Sequence, residues 1–230
     1  GFAAAVLLLV GGAAWLSRVG PQVGVVDQPT TTNVSPDRTT SIPVFGADYA
    51  LAVADAYFPG YNEGDVEAVA ALFAADAEFA TSLGPQDRAE WEQVLAWNAA
   101  QGTVLERRDC RVDGEDSGSV TLYCPHDNFD ALVQAVDAEP VPINLTLIVT
   151  PSGIEKWTFL FGEPDFNVVG ERFARWMANN HPDLVEAGTV GFGNWASLDE
   201  AEQNGVLTAQ YAAEWAAYLT ENDCTFRDGC

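Results

Sequence analysis

The chain has 230 residues, enough for one core of ordinary size with appendages. Apolar residues make up 48% and aromatics 11%, including seven Trp and twelve Phe, so burial can offset chain entropy and global disorder is set aside. Against 34 acidic residues stand 10 basic ones, a net charge of −24 that repels phosphate backbones and anionic headgroups and sets nucleic acid aside as a partner. Two readings of this charge stand, adaptation for solubility or high salt and recognition of a basic partner.

Residues 1–16 (GFAAAVLLLVGGAAWL) carry no charge or strongly polar side chain, and Ser17-Arg18 ends the run. A helix of that length rises about 24 Å, short of a bilayer core of about 30 Å, and a preceding segment is expected to supply the rest. Trp15 and Arg18 suit the interface. Residues 1–18 therefore read as a retained transmembrane segment, with a cleaved signal-peptide core and a buried helix as alternatives. The folded part is expected to be membrane-anchored and extracytoplasmic, or secreted if the segment is cleaved. Residues 19–45 are rich in Pro and Thr without periodicity and read as an extended linker.

From Asp48 the apolar spacing of Leu51, Ala54, Tyr57 or Phe58, and Tyr61 predicts a helix that Pro59 should kink or end. Asn62-Glu63-Gly64-Asp65 supplies a break and an N-cap, and Val66, Val69, Ala70 and Phe73 form the stripe of a second helix. Asp87-Arg88-Ala89-Glu90 is a capping-box pattern for a third, burying Trp91, Val94, Leu95 and Asn98 before Gly102. Thr103–Val112 and Ser119–Pro125 then read as a hairpin, and residues 129–136 as a short helix capped by Asp127 or Asn128. Ile143, Leu145, Leu147 and Val149 alternate with polar neighbours as in a half-buried strand; Pro151-Ser152-Gly153 turns the chain, and Ile154–Phe161 returns as a strand. Phe166–Asn180 and Leu207–Leu219 are amphipathic helices, the first ended by His181-Pro182. The Gly-rich stretch at 188–193 reads as a flexible turn.

The cysteines number four, which suits an oxidising compartment. Cys110 and Cys124 flank a turn-rich centre and are expected to pair, as are Cys224 and Cys230 in the tail. No spacing is C-x2-C and His126 and His181 are the only imidazoles, so no metal site is expected. Phosphate-loop, nucleophile-elbow and zinc-helix motifs are absent, and no cofactor is expected.

Helices followed by a mostly antiparallel sheet is an α+β order. The stretch from Tyr57 to Phe79, with Asn62-Glu63-Gly64-Asp65 and Leu72-Phe73-Ala74-Ala75-Asp76-Ala77, resembles the opening of nuclear transport factor 2-like domains, which include SnoaL-like proteins and ketosteroid isomerases. The closing hairpin from Thr150 to Phe161 is similar to the family's last two strands. The resemblance covers roughly residues 46–162 and implies a cone-shaped, curved antiparallel sheet wrapped around the N-terminal helices, with residues 163–230 as a helical extension. It implies a conical pocket that relatives use for catalysis or for binding.

Ketosteroid isomerisation needs a carboxylate base and two oxyanion donors, a tyrosine and a protonated aspartic acid. By the resemblance the tyrosine falls on Tyr57, the base on Thr81 and the second donor near Leu145, so two of three parts are missing. Tyr57, Trp91, Trp157 and Phe159 are the candidate ligand-binding residues, each with core packing as its plainer role; the stripe continues through Trp97 and Phe161. His126 reads as a surface-loop histidine, with acid–base work beside Asp127 or Asp130 as its alternative. Glu78 reads as a solvated strand residue. The function expected is non-catalytic binding of a small apolar molecule or a protein partner segment, with a SnoaL-like isomerase, cyclase or hydrolase as the alternative and homodimerisation allowed.

Overall fold

The computed structural model describes residues 45–82, 84–161, 166–190 and 195–228. The expected membrane segment, the linker up to residue 44 and Cys230 lie outside them. Among the described residues no helix is long and apolar enough to cross a membrane.

Helix α1 (Ala47–Asn62) buries Ala54, Tyr57, Phe58 and Tyr61 of the expected stripe, with Ala50 buried where Leu51 was expected and Leu51 only half-buried. It runs through Pro59 rather than ending there. Proline this near a C-terminus forfeits a single backbone bond, and its own carbonyl still accepts from Glu63 N at 2.9 Å. Helix α2 (Val66–Ala70) is capped by Asp65, whose side chain accepts from Ala68 N. It stops before Phe73, which opens strand β1 (Phe73–Thr81) instead of closing the helix. The short β2 (Gly84–Gln86) folds back on β1. Helix α3 (Arg88–Ala100) starts on the complete Asp87/Glu90 capping box read from the sequence.

The first arm of the expected hairpin is two strands, β3 (Val104–Arg107) and β4 (Arg111–Glu115), both antiparallel to β5 (Val120–Phe129). The interruption at 108–110 lies opposite Pro125, which has no N–H to give a ladder. Because β5 continues to Phe129, helix α4 (Ala131–Ala135) is capped by Asp130, not by Asp127 or Asn128. Strands β6 (Val141–Thr150) and β7 (Gly153–Phe161) form the expected hairpin, and β7 also pairs in parallel with β1. The sheet order is β2-β1-β7-β6-β5-β3, with β4 also on β5. Register shifts in β1–β7, β4–β5 and β6–β7 bend this open sheet. The fold is the expected α+β class: a curved open sheet with α1 on its inner face and helices at its C-terminal end.

Helix α5 (Phe166–Asn180) buries Val169, Phe173, Trp176 and Met177. His181 then starts a short α6 (Pro182–Glu186). The last helix, α7 (Leu198–Glu221), begins nine residues before the sequence pattern suggested, where the Ser197 hydroxyl accepts from Glu200 N. It packs along α3 and α4, and its Trp215 and Leu219 share a small core with α5. His181 Nε2 lies 3.0 Å from Glu214 Oε1, a tie between the end of α5 and α7.

Cys110 and Cys124 are bridged with their Cα atoms 4.2 Å apart, which fastens the 108–110 interruption to β5. Cys224 is also disulfide-bonded. Removing the 110–124 bridge in the Cys110→Ala/Cys124→Ala variant should lower stability by about 2–3 kcal/mol, since the closed loop is short. Urea unfolding of the two proteins, both with Cys224 oxidised, measures it.

Candidate functional site

Alternation along β5 and β6 turns Val120, Leu122, Cys124, His126 and Asn128, and Val141, Ile143, Leu145, Leu147 and Val149, to the inner face. Register sets Ile143 beside His126 and Leu145 between Cys124 and Phe159, making an aliphatic floor. Around this floor runs a closed circuit of rings. Tyr57 meets Phe58 with centroids 5.3 Å apart, Phe58 meets His126 at 5.5 Å, His126 meets Phe159 at 5.8 Å, and Phe159 stacks on Trp157 at 5.2 Å. Trp157 Nε1 donates to Tyr57 Oη at 3.1 Å and closes the circuit.

Three of the four sequence-chosen binding residues, Tyr57, Trp157 and Phe159, therefore stand together. The Tyr57 phenol is wholly buried, and burial drives its pKa well above the ordinary 10 despite the Trp157 hydrogen bond. Trp91 is set further back, packed on Phe73 and Phe79 at 4.4 and 4.5 Å and meeting Trp157 edge-on. Trp97 is not on this face; its Nε1 donates to Asn204 Oδ1 of α7 at 3.0 Å.

His126 is the correction of most consequence. The sequence reading placed it on a surface loop, but it is 1% exposed and sits within β5. Its Nδ1 lies 3.3 Å from the Cys124 carbonyl oxygen, and Nε2 has no hydrogen-bond partner among the described residues. Burial lowers its pKa from 6.5 to about 4, opposed by the Cys124 carbonyl and by Asp127. Asp127 faces the other way and is held by Arg108 through Nε and Nη2. The signal for His126 was the period-2 run Val120, Leu122, Cys124, His126, Asn128, which Pro125 disguised as a strand end.

A second buried polar group adjoins the circuit. Gln101 Nε2 and Thr103 Oγ1 both donate to Asn98 Oδ1, at 3.1 and 3.2 Å. Burial raises the Tyr61 phenol, with Tyr57 and Asp130 adding to the rise and a hydrogen bond to Asn98 opposing it. Burial also raises the Asp130 carboxyl, against the pull of the Val133 and Leu132 amides that it caps. Its lone pairs thus serve the start of α4.

Of the three positions that the family resemblance assigned to catalysis, Tyr57 holds its tyrosine and the other two hold no carboxylate. Thr81 Oγ1 donates to Gly84 O in the β1–β2 turn, and Leu145 is fully buried in the floor. Glu78 is exposed and pairs with Lys156 at 3.1 Å. Among the described residues no group of His, Cys, Asp and Glu could hold a metal ion.

No protein-family model and no curated protein matches the chain. Solved structures do. A SnoaL-like protein of unknown function from Burkholderia thailandensis is 11% identical over 52% of this chain and 100% of its own, with a TM-score of 0.40. An NTF2-like protein with a cystatin-like fold from Novosphingobium aromaticivorans is 16% identical over 53% of this chain and 87% of its own, with a TM-score of 0.39. A ketosteroid isomerase-like protein from Kribbella flavida is 18% identical over 51% of this chain and 80% of its own, with a TM-score of 0.41. Many of the solved structures to which this chain is similar are NTF2-like, SnoaL-like and ketosteroid isomerase-like proteins, the group that its 57–79 stretch resembles, and others are named as a cyclase or an epoxide hydrolase/cyclase-like enzyme.

Proposed function

We propose that this domain binds a small apolar molecule against the inner face of its sheet, outside the cytoplasm, and performs no chemistry on it. The observation that carries the reading is His126: a buried acceptor nitrogen without a partner, set among aromatic rings. An unpaired polar atom in such a wall costs about 1–3 kcal/mol, and a ligand that pairs it recovers that cost on binding. Apolar walls with a few placed polar groups are the usual build of a small-molecule site.

Binding is favoured over catalysis by the groups that the candidate catalytic positions hold. Asp130 is committed to its cap, and the ketosteroid base and second donor are replaced by Thr81 and Leu145. The 110–124 bridge supports an oxidising compartment, and the apolar run of residues 1–16 supports attachment to a membrane.

The test uses the full chain in detergent and the neutral dye N-phenyl-1-naphthylamine. Saturable fluorescence at one dye per chain is expected, weakened about tenfold in Phe159→Ala because the ring stacked on Trp157 is lost. Dye binding that does not saturate, or that Phe159→Ala leaves unchanged, rejects the reading.

A further inference from the structure

The tautomer of His126 follows from its neighbour. Nδ1 faces the Cys124 carbonyl oxygen at 3.3 Å, and a carbonyl only accepts, so the ring proton resides on Nδ1. Nε2 then presents a lone pair, and among the described residues no protein group donates to it. Of the two rings against the imidazole, Phe58 is buried and Phe159 is half-buried, so the Phe159 side of the ring is the more open.

We infer that the ligand of this face carries a neutral hydroxyl on a planar apolar skeleton and donates that proton to His126 Nε2. This rests on the binding reading above and narrows it. An anion is disfavoured because the lone pair repels it, and the near cation is already engaged: Arg107 lies 5.6 Å over the Phe58 ring and pairs with Asp55 at 2.5 Å. A desolvated cation would need a carboxylate. Asp127 is taken by Arg108 and Asp130 by backbone amides. A planar skeleton suits walls made of ring faces and edges, where offset and edge-on contacts are favourable. A neutral O–H meets all three conditions, as in a phenol or an enol.

The experiment compares 2-naphthol with its methyl ether, 2-methoxynaphthalene, which keeps the skeleton and loses the donor. Wild type should prefer the naphthol by about tenfold, the worth of one buried hydrogen bond. In His126→Phe, which keeps a ring of similar shape, the preference should fall to about twofold or less. An equal preference in both proteins, or none in wild type, overturns the donor assignment while binding itself stands. If neither compound binds, the binding reading fails and takes the assignment with it. Should His126→Phe not fold, nitrogen-15 NMR of wild type decides the matter, since only two imidazoles contribute. The His126 Nε2 resonance should move with 2-naphthol and stay in place with the ether; movement with both overturns the assignment.

Discussion

Gly205→Ala should cost about 3 kcal/mol and loosen α7 from the rest of the fold, although alanine is the better helix former by about 1 kcal/mol. A Cβ at Gly205 would stand 2.5 Å from Trp97 O, 2.8 Å from Ala100 Cβ and 3.3 Å from Gln101 N. The nearest of these is backbone, so no rotamer relieves it and the helices must part. Parting them stretches the Trp97 Nε1 to Asn204 Oδ1 bond and exposes to water the Asn204–Thr208 contact within α7, where Thr208 Oγ1 donates to Asn204 O at 2.8 Å. Gly170→Ala is the control, because among the described residues nothing lies within 4 Å of its would-be Cβ inside α5. There only the propensity difference acts, and stability should rise by about 0.5–1 kcal/mol. Urea midpoints give both signs, and limited proteolysis should cut residues 198–221 faster in Gly205→Ala alone. Equal effects from the two substitutions would show that α7 does not depend on this close approach.

What was legible in the sequence, and what was not, follows from how local each signal is. The β6–β7 hairpin was clear because Ile143, Leu145, Leu147 and Val149 alternate over one face and Gly153 turns the chain with a φ of +114°. The α3 start was clear because both halves of its capping box lie within four residues. The start of α7 was not legible because Gly205, a poor helix former, stands inside it for the crossing with α3, a tertiary reason invisible locally. The course of β5 through Pro125 was hidden for a related reason. A proline is tolerated in a central strand only where the neighbouring strand is interrupted, and that interruption at 108–110 is known only once β3 and β4 are both paired. His126 was misplaced as a consequence. Tyr57, Trp157 and Phe159 were found because their stripes are regular, yet the polar atom among them was not, since its burial depended on the strand that Pro125 concealed.

The neutral state of His126 makes the fold sensitive to acid in a defined window. Burial holds its pKa at about 4 in the folded protein against 6.5 for an ordinary imidazole, so between those values the unfolded chain binds the extra proton. The sign follows: this contribution is fully present above about pH 6.5, is lost as pH falls, and is gone at about pH 4, a total of roughly 3 kcal/mol. His126→Phe removes the titration and keeps a ring beside Phe58 and Phe159, so its stability should fall less over the same interval. Protonation of the many carboxylates acts on both proteins alike, and the difference between their urea midpoints at pH 7 and pH 4.5 isolates the histidine. Wild type should lose about 2–3 kcal/mol more than the variant. Parallel loss in the two would mean that His126 can take its proton inside the fold, which the apolar floor of Ile143 and Leu145 and the rings around it do not accommodate. The same protonation removes the Nε2 lone pair, so affinity for a hydroxyl donor should decline below about pH 4, where the fold has already lost this histidine's contribution.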